Sequence, residues 1–362
     1  MRTNLLITVL VLALPFFLPA AELVLDNADN APGWNQTGGG STVTAASTHQ
    51  EGTGAVHIAL ASANWTWSQT AGFYLGAPVS GAVWNSYEGI RFWVKGDGST
   101  DYGIMSIIYN ASYYRYYAAF PMQNGVWTEV TIPWREFTQR MMQGRMEDHL
   151  AEIHTVQFTH ANCIDTGYPS LVAVPAVSYD IDNVRLVNGL TLAATPVPAA
   201  TSIDNIVAKL KAKKPVTIGW IGASVSWGLK CTDPVTQNSA AVLKGLLVTA
   251  YGYSVPGDIT IVNKSVGGSS SFSGICNLGR YLGASEPLDL VVFGEYAYND
   301  AGGDVSTGRL DQIEDNHEKI FGTLLRRNNT DVLYFLSGLH VTTGGTNTMD
   351  PLLPASGRPA TA

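Results

Sequence analysis

The hydrophobic pattern changes near residue 200, and this change constrains the fold more than any other feature of the chain. Residues 22–188 hold many short runs rich in β-branched and aromatic residues, such as Gly89–Lys95, and the run Trp127–Pro133 alternates apolar and polar residues. Clusters of Gly, Asn, Asp and Ser separate these runs. Short, half-buried strands between such turns are typical of a β-sandwich. We therefore predict an all-β sandwich, a jelly roll, over residues 22–188.

After residue 203 the pattern becomes that of a layered α/β domain. Ile203–Leu210 has apolar residues at helical spacing, and from Val216–Ile221 onward continuous apolar runs alternate with helical stretches. Buried strands that alternate with helices predict a parallel sheet covered on both faces. We therefore assign residues 203–350 to an α/β domain, 189–202 to a linker that contains Pro196 and Pro198, and 351–362 to a polar tail.

The first 21 residues have the pattern of a secretory signal peptide. Arg2 gives a basic start, an apolar run extends from Leu5 to Leu18, and Ala20 and Ala21 are small residues suited to cleavage. The run is shorter than the roughly 20 residues that a membrane-spanning helix needs. The alternative to a cleaved signal peptide is an uncleaved membrane anchor. We expect a secreted or periplasmic protein without membrane contact after cleavage.

The charge balance limits the classes of binding partner, and the cysteine content limits the possible disulfides and metal sites. The 362 residues include 21 Lys and Arg against 29 Asp and Glu, a formal net charge of −8. Phosphate binding needs clustered cations, so we expect no nucleic-acid partner. The three cysteines are Cys163, Cys231 and Cys276, and they leave two alternatives open. Either Cys231 and Cys276 form a disulfide, or all three are buried free thiols. No Cys or His spacing predicts a zinc site.

Three predicted strand ends of the α/β domain carry small and polar residues. Gly222-Ala-Ser224 follows the first strand, Asn263–Gly268 the second and Tyr298-Asn299-Asp300 the third. Because the carboxyl ends of parallel strands meet at one edge of a sheet, we expect these segments to converge. A serine hydroxyl beside glycine N–H groups and a carboxamide is the arrangement of a nucleophile with an oxyanion hole.

These segments resemble the first three motifs of the SGNH hydrolases, also called GDSL-type esterases. The resemblance covers about residues 215–337 and implies a flavodoxin-like three-layer fold. It also implies that Ser224 is the nucleophile and that its own N–H, the N–H of Gly268 and the side chain of Asn299 bind the oxyanion, with no cofactor for catalysis. Exported members often remove acetyl groups from polysaccharides, so an acylated sugar or polysaccharide is the implied partner. Ala223 stands where the family usually has Asp.

The fourth motif of that family, Asp-x-x-His, does not follow Asn299 in this sequence. That motif supplies the general base. His317 lies in the charged run Glu314–Lys319 and is predicted to be a solvated surface residue, whereas His340 follows a strand at a place that does not match the motif. We expect a fragment or frame-shifted product of an esterase gene; the alternatives are a degenerate hydrolase domain that only binds carbohydrate and an α/β domain with chance motifs.

The predicted sandwich resembles, more loosely, the jelly-roll (galactose-binding-like) carbohydrate-binding modules and the complex I intermediate-associated family. Four segments carry this resemblance: Leu23–Asp26, Ile90–Lys95, Trp127–Trp134 and Tyr179–Leu186. They are features of the fold more than of a binding site.

Two pairs of aromatic residues have the spacing that places two rings on one strand face. They are Trp65 with Trp67 and Tyr114 with Tyr116. Sugar rings stack on flat aromatic faces, so these residues are candidates for glycan binding, with packing in the sandwich core as the alternative.

A structural Ca²⁺ is the remaining candidate ligand of the sandwich. Asp26, Asp180 and Asp182 lie in the first and last predicted strands and carry the hard oxygen donors that calcium prefers. Surface carboxylates without a metal are the alternative.

Overall fold

The computed structural model describes sixteen stretches of the chain. They are 22–37, 40–61, 70–75, 81–99, 102–109, 114–139, 144–159, 176–190, 203–228, 231–267, 269–282, 287–294, 296, 300, 307–325 and 330–335. The predicted signal peptide, the linker beyond residue 190 and the predicted tail lie outside them. Among the described helices, none combines the length and apolar character needed to cross a membrane.

The described parts of residues 22–190 contain twelve strands and four short 3₁₀ helices. The strands are β1 (Glu22–Asp26), β2 (Asn35–Thr37), β3 (Thr42–Ala45), β4 (Val56–Leu60), β5 (Thr70–Tyr74), β6 (Gly89–Gly96), β7 (Tyr102–Tyr109), β8 (Tyr114–Pro121), β9 (Trp127–Pro133), β10 (Thr138–Gln139), β11 (Ile153–Thr159) and β12 (Val177–Val187). The 3₁₀ helices are Ala31–Gly33, Gly81–Ser86, Trp134–Glu136 and Met146–Glu152.

Two antiparallel sheets of six strands make up the sandwich. The first sheet has the order β3-β4-β12-β6-β9, with β1 paired to β12, and the second has the order β10-β8-β7-β11-β5-β2. Every strand pair named in either sheet is antiparallel, with the first and last strands as neighbours. The predicted all-β sandwich is therefore confirmed.

Alternation of side chains along the strands builds the core between the two sheets. On β6, Ile90, Phe92 and Val94 are fully buried while the residues between them face outward. Phe92 makes edge-to-face contacts with Phe120 and Phe158 of the second sheet, with ring centroids 5.0 and 5.4 Å apart. These contacts join the two sheets.

The second half is a parallel α/β structure. Its strands are β13 (Val216–Gly222), β14 (Ile259–Asn263), β15 (Leu290–Gly294) and β16 (Asp331–Phe335), and its helices are α1 (Asp204–Lys211), α2 (Ser224–Trp227), α3 (Ser239–Tyr251), α4 (Ser271–Leu282) and α5 (Thr307–Leu325), with a 3₁₀ helix at Pro256–Asp258. The sheet order is β14-β13-β15-β16, with all pairs parallel. Helices α1 and α3 share an apolar core with one sheet face, and α4 and α5 share one with the other. The predicted parallel α/β class is confirmed.

The sandwich and the α/β half pack directly on each other. Ile104 of β7 and Tyr117 of β8 face outward from the second sheet and are buried in the same apolar cluster as Phe272 of α4. The rings of Tyr117 and Phe272 meet edge-on at 4.9 Å. The Lys319 ammonium on α5 donates a 2.5 Å hydrogen bond to the Phe137 carbonyl of the sandwich. One face of the second sheet is therefore covered along β7, β8 and β10.

Candidate active site

Ser224 begins a short helix directly after the central strand β13. The chain turns at Gly222 and Ala223, and α2 then ends after one turn at Gly228, whose φ of +101° is left-handed. A Cβ atom at Gly222 would lie 2.6 Å from Ser226 Oγ and 2.9 Å from the Gly294 carbonyl oxygen. Only glycine fits at this point, and the turn leaves Ser224 partly exposed at the carboxyl end of the sheet.

The loop after β14 is bonded to the end of β13. The Val266 N–H donates to the Gly222 carbonyl at 3.0 Å, and the Ser269 hydroxyl approaches the same oxygen at 3.2 Å. The Asn263 side-chain amide donates to the Ser226 carbonyl at 2.9 Å. A Cβ placed on Gly267 would lie 4.0 Å from the Ser224 Cβ. These bonds hold Gly267 of this loop beside Ser224.

The third strand end reaches the same region. Gly294 of β15 pairs in register with Gly222 of β13. Asp300 is buried, and its carboxylate accepts a 2.9 Å hydrogen bond from the N–H of Ser271, the first residue of α4. The Asn316 amide of α5 donates to the Ser271 hydroxyl at 3.0 Å. The predicted segments therefore end at one edge of the sheet, while Gly268 and Asn299 themselves lie outside the described residues.

His317 is buried, so its predicted position on a solvated surface is wrong. Its exposed fraction is 7%, and Phe293 and Tyr334 lie 6.3 and 5.5 Å from it between ring centroids. Nδ1 lies 2.7 Å from the Ile313 carbonyl oxygen and so carries the proton, which leaves Nε2 buried without a hydrogen-bond partner. Burial lowers the pKa of His317. The charged run Glu314–Lys319 suggests a solvated helix, but Asp315 is also buried and pairs with Lys319, so the charges of this run do not mark an exposed side. His340 lies outside the described residues.

The structure places one of the four aromatic glycan candidates in the core. Tyr116 is fully buried, stacks on Tyr109 with ring centroids 5.2 Å apart, and has its hydroxyl 3.0 Å from the carbonyl oxygens of Gly144 and Arg145. Its prediction as a sugar platform is therefore wrong. The backbone of Tyr114 belongs to β8, but its side chain lies outside the described residues. Trp65 and Trp67 lie outside the described residues entirely.

The three carboxylates proposed for calcium are held by three separate sets of partners. Asp26 accepts from the Ala28 N–H and the Trp34 indole. Asp180 contacts His57 and Lys95, and Asp182 accepts from two backbone N–H groups of the 50–51 turn. Within the described stretches no three His, Cys, Asp or Glu residues group around a metal position. The predicted calcium site is therefore not assembled from these residues.

Cys231 is a free thiol that lies 3.4 Å from the Gln237 carbonyl oxygen and is partly exposed. The structure therefore does not contain the disulfide to Cys276 that the sequence left open.

Comparison with known proteins finds similarity to the sandwich. The family model described as Complex I intermediate-associated protein 30 (CIA30) matches residues 35–170. A family 11 carbohydrate-binding module from Clostridium thermocellum, solved in complex with a β-1,3-1,4-mixed-linked tetrasaccharide, is 17% identical with a TM-score of 0.37, and the match covers 47% of this chain and 97% of the module. A family 30 module of a cellulosomal cellulase from the same organism is 11% identical with a TM-score of 0.33, covering 47% and 98%.

A third solved structure has two domains. It is an esterase active on acetylated mannans, co-crystallised with mannopentaose, and is 18% identical with a TM-score of 0.29 over 36% of this chain and 33% of the esterase. None of the curated protein sequences matches the chain. The assignment of residues 203–350 to the SGNH hydrolases stays a prediction.

Proposed function

We propose that the protein is an exported carbohydrate esterase in which Ser224 is the nucleophile. The observation that carries this proposal is the loop after β14, which is bonded to Gly222 and holds Gly267 beside Ser224. A partly exposed hydroxyl at the carboxyl end of a parallel sheet, with the backbone of Gly267 beside it, is suited to acyl transfer. Export would use residues 1–21, and the α/β half would be an SGNH-type domain.

The chemistry would follow the usual course of a serine esterase. A base takes the proton from Ser224 Oγ, and the oxygen attacks the ester carbonyl carbon. The N–H groups of Ser224 and Gly268 and the amide of Asn299 would stabilise the negative oxygen, each contributing about 3 kcal/mol. The alcohol of the sugar leaves, and water then releases the acid from the acyl-enzyme. The base is unassigned, and His340 is the histidine to test first, because His317 is enclosed by α5 and the sheet.

The sandwich would hold the polysaccharide to which the acyl group is attached. Its architecture of two packed antiparallel sheets supports this role. Both halves would then act on one glycan, which fits their direct packing through Tyr117 and Phe272.

Acetate release tests the proposal. The full chain is incubated with acetylated mannan, acetylated xylan and p-nitrophenyl acetate, beside the variants Ser224→Ala and Ser254→Ala, the latter changing an exposed serine of the same domain. We expect turnover in the wild type and the control, and a loss of roughly 10³-fold or more in Ser224→Ala. Wild-type rates no higher than those of Ser224→Ala would contradict the esterase.

A non-catalytic carbohydrate-binding protein is the second candidate. The burial of His317 favours it, because this is the one histidine that the described part of the α/β half contains. Glycan binding together with an absence of Ser224-dependent turnover would favour this reading over the esterase.

A further inference from the structure

We propose that the outward face of the first sheet carries a second functional site, a saccharide-binding cleft formed by His57, Lys95 and Asn124. The inference deepens the proposed function, because it names where the sandwich would hold its glycan. Tyr116, the aromatic candidate whose side chain is described, is buried in the core and takes no part.

The two outward faces of the sandwich differ in their surroundings. The face of the second sheet is covered along β7, β8 and β10 by α4 and α5, with Tyr117 fully buried against Phe272. Among the described residues, the apolar cluster shared with α4 and α5 contains side chains of the second sheet and none of the first. Its outward side chains Arg91, Trp93 and Lys95 stay partly exposed. The segment Thr48–Glu51 lies over part of this face, with bonds to Trp93, Lys95 and Asp182. A glycan would therefore reach the first sheet at the side of His57 and Asn124, where a cleft opens.

Five outward side chains form one row across the first sheet. The register pairs Thr44 with His57, His57 with Asp180, Asp180 with Lys95, and Lys95 with Trp127. Directly paired residues project to the same side of a sheet. Neighbouring strands are about 4.8 Å apart, so the row crosses roughly 19 Å of one face. This is an extended polar track that ends at an aromatic ring.

Hydrogen bonds inside the row fix its donors and acceptors in advance. Asp180 Oδ1 lies 2.7 Å from His57 Nδ1, and Asp180 Oδ2 lies 2.7 Å from Lys95 Nζ. The buried carboxylate therefore accepts a hydrogen bond from Nδ1–H, and Nε2 of the partly exposed imidazole is left for a hydrogen bond to a ligand hydroxyl. Lys95 Nζ also donates to the Thr48 hydroxyl and lies 5.1 Å above the centre of the Trp127 ring. Such preorganised groups lose little entropy when a ligand binds.

A cleft of about 440 Å³ opens beside this row. Its lining includes His57, Lys95, Ala45, Ser47, Asn124 and Gly125. A Cβ at Gly125 would meet no atom within 4 Å, so this wall is open to a ligand. The volume is in the range of small-molecule sites.

The chemistry of the lining selects a neutral, hydroxyl-rich ligand. The carboxylates of Asp97 and Asp180 repel an anion, and an apolar ligand would strip water from Lys95 and His57 without replacing its hydrogen bonds. Sugar hydroxyls donate to the imidazole and the Asn124 carbonyl and accept from the amide and the ammonium. A neutral saccharide satisfies all of these groups together.

Affinity gel electrophoresis of the full chain tests the cleft. The gels contain mannan, xylan or mixed-linkage β-glucan, and the variants are His57→Ala, Asn124→Ala and, as the matched control, Thr42→Ala, an exposed residue of the same sheet outside the cleft. We expect retardation of the wild type and the control on at least one glycan, and roughly tenfold weaker binding in both cleft variants. If His57→Ala fails to fold, Asn124→Ala decides, because it lies in an exposed turn.

The outcomes separate this inference from the esterase. Ser224→Ala is run on the same gels, and we expect it to be retarded like the wild type even where acetate release is lost or never observed. If Ser224→Ala is retarded and Asn124→Ala binds weakly, the cleft is supported, whether or not Ser224-dependent acetate release is observed. The cleft is overturned if no glycan retards the wild type, if Asn124→Ala binds within twofold of it, or if Ser224→Ala alone abolishes retardation.

Discussion

Gly222 fixes the position of Ser224, because two atoms occupy the space that any side chain would need. One is the flexible Ser226 hydroxyl, and the other is the Gly294 carbonyl oxygen at 2.9 Å, which belongs to the backbone of the paired strand. From the sequence we predicted that small residues come between the strand and Ser224. The sequence could not predict that the second contact comes from β15, 72 residues further along the chain.

We expect Gly222→Ala to lower the free energy of unfolding by about 1–3 kcal/mol, since the new methyl group must push two strands apart. Gly245→Ala in α3 is the control, because a Cβ there meets nothing within 4 Å, and we expect it to stabilise by about 0.5–1 kcal/mol. Urea denaturation measures both. Equal stability of Gly222→Ala and wild type would contradict the tight turn.

His317 makes stability depend on pH. Burial lowers its pKa in the folded protein below the roughly 6.5 of an unfolded chain, so the unfolded state binds more protons as the pH falls. This contribution to stability is complete above pH 6.5 and declines as the pH falls toward the lowered pKa.

Urea denaturation at pH 7 and pH 5 checks that dependence. The side chain of His317→Phe cannot be protonated. We therefore expect the free energy of unfolding of this variant, relative to that of the wild type, to be higher at pH 5 than at pH 7. A difference between the two proteins that does not change with pH would rule out His317 as the titrating group.

At the scale of elements, local pattern predicted strands well and missed elements that depend on distant partners. The bounds of β9 follow the sequence prediction, because alternation and flanking turns are local signals. Helix α4 was not predicted: its first N–H is bonded by Asp300, and Phe272 and Leu278 are buried in a core shared with other elements. The loop beside Ser224 likewise depends on bonds to another strand.

Helix α1 begins with a similar distant partner. Its N-cap residue Ile203 offers no side-chain hydrogen bond, and Asp331 of β16 instead accepts from the Ile206 N–H at 2.8 Å and the Asn205 amide at 2.9 Å. We expect Asp331→Ala to cost about 1–3 kcal/mol in urea denaturation, because buried donors lose their acceptor. Asp204→Ala, an exposed carboxylate in the first turn, is the control and should cost no more than about 1 kcal/mol. Equal effects would contradict the capping role of Asp331.

At the scale of the whole molecule, the sequence predicted two domains joined by a linker, whereas the halves share a buried core. Composition and periodicity report the class of each half but not which outward faces meet. Ile104 and Tyr117 are outward residues of a strand pair that would otherwise be solvated. Their burial couples the sandwich to α4, the helix that follows the loop beside Ser224.

We expect Tyr117→Ala to increase hydrogen exchange in both β8 and α4, since the substitution opens a cavity between them. Tyr74→Ala is the control, because Tyr74 is 63% exposed in the same sheet. An increase limited to β8 would show that the two halves are not energetically coupled.

Covalent labelling tests the central assignment most directly. The intact protein is treated with diisopropyl fluorophosphate, which phosphorylates activated serine hydroxyls, and the modified peptide is identified by mass spectrometry. We expect labelling at Ser224, with none in Ser224→Ala and full labelling in Ser254→Ala. A label on another serine, or an unmodified wild-type protein, would contradict Ser224 as an activated nucleophile.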